Sequence, residues 1–263
     1  MGTPELTQAA RSFVADGPMA LTKFLSETPL FLSLQERLGH RFSRPELLLE
    51  ALTHSSFANE MVIQQWGHYQ RLEFLGDMVV GLAVSVQLVD LFPEMGEGEL
   101  SRMRSALVNQ KGLAELAHDA ELWECLLLGK GQSQCSGMGL ESLLSDVLEA
   151  VVGAVVVDAN FEVAKASFAR LIDIHEQRSG KKYYDPKREE LFDPKSRLQE
   201  LTMKHWREIP RYVSTEIAPG QFEVVLEISG NEVAREIGDS KKRLERSLAK
   251  KAIEEELYQQ NNN

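Results

Sequence analysis

Only two cysteines, Cys125 and Cys135, occur in 263 residues. They lie ten apart with no Cys-x-x-Cys, which speaks against a disulfide framework or a zinc knuckle. A reduced, cytoplasmic setting is expected. Basic charge is also short. Lys and Arg total 29 against 40 Asp and Glu, a net charge of -11. Such a balance argues against simple electrostatic adhesion to nucleic acid or to an anionic membrane. The pattern suggests no apolar run of membrane-span length, so no membrane association is expected. The start, "MGTPELTQAARSF", has no basic region followed by an apolar stretch, and no secretory signal is read there.

What is present fits a globular protein, with 43% hydrophobic and 26% charged residues. The length suits one large domain or a medium and a small one. Charge is unevenly placed. Residues 1–191 carry 17 basic and 27 acidic side chains, whereas residues 192–258 carry 12 and 13. Within the second part, "KKRLERSLAKK" (241–251) holds six basic residues against Glu245.

Periodicity divides the chain in the same place. Residues 1–33 read as short helices broken near "DGP". From Leu34 to about Ile174 the pattern is helical almost throughout. "RPELLLEALTHSS" (44–56) opens with Pro45 in a first-turn position. Residues 71–92 form a long apolar helix that stops before Pro93. Residues 100–120 read as one amphipathic helix, 140–161 as a second apolar helix and 162–178 as another amphipathic one. The glycine-rich "GKGQSQCSGMG" (129–139) lacks the pattern of a phosphate-cradling loop and is read as a connection. The polar 179–195 reads as a linker. Beyond it the period changes to a helix (193–206), three short alternating segments (211–217, 221–228, 232–237) and a helix (240–257), an α-β-β-β-α order.

The two apolar helices carry acids that an oily face does not need. Glu73 and Asp77 are i and i+4; Asp146 and Glu149 are i and i+3, so each pair shares a face. Packed together, the helices would bring four carboxylates to one pocket, where they would resist ionising together. A hard divalent cation, Mg²⁺ or Mn²⁺, removes that conflict and would lower the pKa of a bound water. The plainer reading is a solvated face, with Arg71 pairing to Glu73. His54 reads as a packed or capping histidine and Cys125 as a core thiol. Arg102 and Arg104 suit RNA or nearby acids.

With "RLEFLGD" (71–77), "LLSDVLEAVVGAVVVD" (143–158), "LQERLGHRF", "ALTHSS", "EGELSRMRSALV", "LAELA" and "LLLGKG" in that order, the chain resembles the ribonuclease III family. The resemblance implies an all-α endonuclease domain (34–178), then a small α+β double-stranded-RNA-binding domain (193–258). An extension (1–33), a linker (179–192) and a tail (259–263) complete the expected layout. It implies a cytoplasmic homodimer that cuts duplex RNA by metal-activated water, leaving 3′ overhangs. Ribosomal RNA precursors and structured messenger RNA are the implied substrates. By resemblance Glu73, Asp146 and Glu149 hold the metal. Asp77 and Glu149 are catalytic, with Asp77 orienting the metal directly or through water. Glu97 matches a further cleavage-site acid. Gln70, in "HYQRLEF", stands where the family usually has glutamate in an Asn-Glu-Arg run.

In the tail, "DSKKR" (239–243) places Ser240 as an N-cap and then Lys241, Lys242 and Arg243 at a helix N-terminus, which suits phosphates. "SRLQE" resembles the minor-groove helix, with Ser196, Gln199 and Glu200 as RNA contacts; Gln199 and Glu200 would meet 2′-hydroxyls. Two departures are visible: the first strand–strand loop, "APGQ", lacks a histidine, and Leu244 stands where a small residue is common. Gln70 alone favours an alternative, a non-cleaving duplex-RNA-binding scaffold; the four acids oppose it.

Overall fold

A computed structural model describes residues 6, 7, 10, 11, 23, 24, 26–61, 67–130, 138–186 and 194–259. The chain divides into two compact units, Met1–Tyr184 and Asp185–Asn263. The first is helical and the second is α+β.

In the first unit the helices are α1 (Pro29–Leu38), α2 (Pro45–Leu52), α3 (Ser55–Met61), α4 (Gln70–Leu91), α5 (Glu97–Leu107), α6 (Gln110–Asp119), α7 (Met138–Asp158) and α8 (Phe161–Ser179). Proline starts α1 and α2, where its missing N–H costs nothing. Gly39 and Gly180 end α1 and α8 in the left-handed conformation. Two expected helices are broken. Residues 100–120 divide because Asn109 leaves the helix and caps α6, accepting the Gly112 N–H at 2.9 Å. Residues 44–56 divide because Thr53 forms a bridge to Leu127.

The core lies around α7, whose Val147, Leu148, Ala150, Val151, Val152, Ala154 and Val155 are all wholly buried. Its main partner is α4. The two backbones touch. A Cβ on Gly76 would fall 1.8 Å from the Glu149 carbonyl oxygen, and one on Gly153 would fall 2.2 Å from that of Leu72. Only glycine permits this approach.

Three expectations need adjustment. Helix α4, with 22 residues and a mean hydropathy of 1.7, is long and apolar enough to cross a membrane. The acids on it and its packing against α7 explain it instead as a core helix. Leu6 and Ala10, in the expected extension 1–33, are wholly buried in the core. Tyr183, in the expected linker 179–192, is wholly buried too. Its hydroxyl donates to the Leu107 carbonyl at 2.8 Å, so an aromatic hydrogen-bonded residue extends the first unit past α8. Residues 62–66, 131–137 and 187–193, which hold part of the segment before the acidic motif, most of the glycine-rich loop and part of the linker, lie outside the described residues.

The second unit follows the expected order: α9 (Pro194–Trp206), β1 (Arg211–Ala218), β2 (Gln221–Ile228), β3 (Asn231–Gly238) and α10 (Lys241–Glu254). The sheet is antiparallel, β1-β2-β3. Two-residue turns join the strands, with Gly220 at φ +74 and Ser229 and Gly230 at φ +51 and +77. Alternation on β2 buries Val224, Leu226 and Ile228 against Leu198 of α9 and Leu244, Leu248, Ala249 and Ala252 of α10. This is a core of its own.

Candidate metal centre and RNA interface

Glu73 sits in the first turn of α4; Asp146 and Glu149 sit one turn apart on α7. The Gly76–Glu149 approach brings the helices close enough for these side chains to meet. One carboxylate oxygen from each of Glu73, Asp146 and Glu149 lies within 4.8 Å of the others, and all three residues are half-buried. Among the described residues no cationic side chain pairs with them. Arg71, the candidate partner of Glu73, instead acts on Glu50.

The electrostatics reflect that isolation. Burial pushes the Glu149 carboxyl up to about 8, with further push from Asp77, Asp146 and Glu73. Burial raises Glu73 as well, helped by Asp146 and Asp77. Burial also raises Asp146, opposed by a hydrogen bond from Tyr69. Asp77 is exposed and outside the three-oxygen group, yet its charge reaches both glutamates. All-oxygen donors and several negative charges, with no cationic side chain paired to them among the described residues, fit a hard divalent ion.

The Ribonuclease-III-like family model matches residues 44–174, and the double-stranded RNA binding motif matches 194–256. Ribonuclease 3 of Nitratidesulfovibrio vulgaris is 42% identical over 224 residues, covering 84% of this chain and 86% of that one. Ribonuclease 3 of Bdellovibrio bacteriovorus is 40% identical over 228 residues, covering 84% and 94%. The chain belongs to the ribonuclease III family. A crystal structure of the nuclease domain of Campylobacter jejuni ribonuclease III is 36% identical, with a TM-score of 0.50 over 59% of this chain and 99% of that one. As a ribonuclease III, the chain is an endoribonuclease with a duplex-RNA-binding module, and its family is metal-dependent.

Other residues of this ribonuclease III fall in less convergent positions. Gln70 is exposed at the first position of α4. Glu97 is exposed at the start of α5, outside the acid cluster, where its Oε1 accepts from Ser101 Oγ at 2.9 Å. His54 is a capping residue: its Nδ1 accepts the Ser56 N–H at 3.1 Å as α3 begins. Arg104 donates to Ser85 Oγ at 3.4 Å. Cys125 is buried among apolar side chains, its thiol pushed up to about 12 by burial.

In the second unit Lys241, Lys242 and Arg243 are exposed on the first turn of α10. The ammonium of Lys241 lies 4.7 Å from the Phe222 ring centre, a cation–π contact. Ser240 occupies the N-cap position, but its side chain makes no cap bond, so the backbone amides of the first turn stay available. On α9, Gln199 is exposed while Ser196 and Glu200 are half-buried; Arg197 Nη1 lies 3.5 Å from Glu200 Oε2. The unusual Leu244 is buried against Gly238, where it completes the small core.

Sequence reasoning missed Gly76, Gly153 and Tyr69. The glycines had a signal, since each interrupts an apolar helix within four residues of a candidate acid. Tyr69 had a fainter one, since it stands just before Gln70 where the family's run has asparagine, but its contact depends on which side chain of α7 comes near.

Proposed function

We propose that this ribonuclease III cuts both strands of duplex RNA by hydrolysing phosphodiesters, leaving short 3′ overhangs, with Mg²⁺ or Mn²⁺ held by Glu73, Asp146 and Glu149. The observation that carries this reading is the meeting of three carboxylate oxygens from two helices within 4.8 Å. Bound there, the cation supplies an acidified water and positive charge beside the phosphate. Asp77, one turn beyond Glu73, adds negative charge at the rim and orients the cation's surroundings. Glu97 and Gln70 contribute polar groups at the ends of α5 and α4. Lys241, Lys242 and Arg243 neutralise phosphates, while Ser196, Gln199 and Glu200 meet the minor groove and its 2′-hydroxyls.

The enzyme acts as a homodimer in this reading. Phe74, Met78, Leu82 and Val89 of α4 are 79%, 62%, 52% and 57% exposed. The first three recur every fourth residue, a continuous apolar stripe beside the acids. A second copy would cover it, giving one acid cluster per strand. Sedimentation is expected to show a dimer at micromolar concentration; a monomer would contradict that part. A cytoplasmic role in processing ribosomal RNA precursors and messenger RNA completes the proposal.

A labelled RNA hairpin, incubated with Mg²⁺ or with EDTA, tests it. Cleavage is expected only with the metal. Glu149→Ala should bind the hairpin normally and cut at least about a hundredfold more slowly, since a catalytic metal lowers the barrier by several kcal/mol. Normal turnover by that variant, or cutting in EDTA, would remove the proposed chemistry.

A further inference from the structure

We infer that Tyr69 is a positioning residue of the metal centre, holding Asp146 of α7 in place from the first turn of α4. The inference rests on the metal reading above and adds a residue to it. Tyr69 contacts two of the three acids through different atoms. Its carbonyl accepts the Glu73 N–H at 2.9 Å, the first hydrogen bond of the α4 turn that carries Glu73. Its hydroxyl donates to Asp146 Oδ2 at 3.4 Å. Among the described residues this is the one side-chain hydrogen bond made to any of Glu73, Asp146 and Glu149. Carboxylates that ligate metals are normally held in turn by such a neighbour.

The phenol is itself fixed. Tyr69 is 6% exposed. Its backbone N–H donates to the Thr53 carbonyl at 3.1 Å. Its ring lies against His54, with centroids 5.7 Å apart and planes tilted by 39°. His54 is held through Nδ1 to Ser56. The Tyr69 side chain makes no cap bond to its own helix, so the hydroxyl is free to reach across to α7. The ring therefore brings one rigid donor to Oδ2 of Asp146, fixing that carboxylate where it meets Glu73 and Glu149. The separation is long for a hydroxyl and a carboxylate, so the expected effect is moderate.

The test compares wild-type full-length protein with Tyr69→Phe, which keeps the ring and removes the hydroxyl. Mn²⁺ alone is titrated in the absence of RNA and free Mn²⁺ is read by electron paramagnetic resonance. Wild type should bind. Tyr69→Phe should bind about three- to tenfold more weakly, the worth of an ordinary hydrogen bond and less than that of a short one to a charged group. Thermal melting and metal-free RNA affinity should stay unchanged, and raised Mg²⁺ should restore cleavage. Asp146→Asn supplies the second arm. If Tyr69 works through Asp146, adding Tyr69→Phe to Asp146→Asn should cost no further Mn²⁺ affinity, even where the tyrosine variant melts lower. Equal Mn²⁺ affinity of Tyr69→Phe and wild type, or a full additional loss in the double variant, overturns the inference. Failure of wild type to bind Mn²⁺ at all overturns the metal reading and the inference together.

Discussion

Glu149 sits where burial and three neighbouring acids all oppose its charge, and its carboxyl is pushed up to about 8. The folded metal-free chain therefore keeps a proton that the unfolded chain releases near the ordinary glutamate value of 4.5. Between those two values folding takes up a proton, so stability falls as pH rises through the window. Melting of the EDTA-treated protein should drop by roughly a few degrees from pH 5 to pH 8.5. Glu149→Gln should remove most of that slope. Added divalent cation should flatten it too, because binding displaces the same proton and tightens as pH rises. A melting temperature that climbs with pH over this range in the metal-free wild type would contradict the assignment. At this scale the acid pairs were legible from i, i+3 and i, i+4 spacing on apolar helices. The divergence within the four was not: Asp77 is exposed while the other three are half-buried. Spacing assigns a face, and only the packed neighbour decides which members of that face lose water.

Helices α4 and α7 meet through backbone at Gly76 and Gly153, and this contact sets the distance between their acids. Gly76→Ala puts a methyl carbon 1.8 Å from the Glu149 carbonyl, so the helices must separate. The cost of such overpacking is about 1–3 kcal/mol or more. Chemical denaturation should show that loss, and Mn²⁺ affinity should fall with it because the ligands spread. Gly81→Ala on the same helix meets nothing within 4 Å and serves as the control. It should gain a few tenths to about 1 kcal/mol from helix propensity. Equal stability in the two variants would show that the close approach is not required. Most elements were legible in the sequence because strong 3.6 and 2.0 periods, prolines and glycines marked them. The helix at 100–120 was read as one piece because its apolar spacing runs on through Asn109. The bond from the Gly112 backbone N–H to the Asn109 side chain that marks the break is a local capping choice that periodicity does not record.

As a whole the molecule joins two cores of opposite construction. The nuclease unit gathers half-buried acids between two packed helices, and the smaller unit presents its basic residues at a helix start. The net charge of -11 thus conceals both features. Composition alone argued against nucleic acid, whereas the order of motifs and the change of period at residue 193 pointed to it. The edges of the units were harder to read. Leu6, Ala10 and Tyr183 belong to the first core through contacts between residues far apart in the chain, which a local pattern does not carry. Everything proposed for the activity depends on one ion joining Glu73 to Asp146 and Glu149. The most direct test is anomalous diffraction from crystals of the full chain soaked in MnCl₂. The account predicts a manganese peak within bonding distance, about 2.2 Å, of carboxylate oxygens from both α4 and α7. Saturated crystals with manganese elsewhere and no peak beside Glu149 would contradict it.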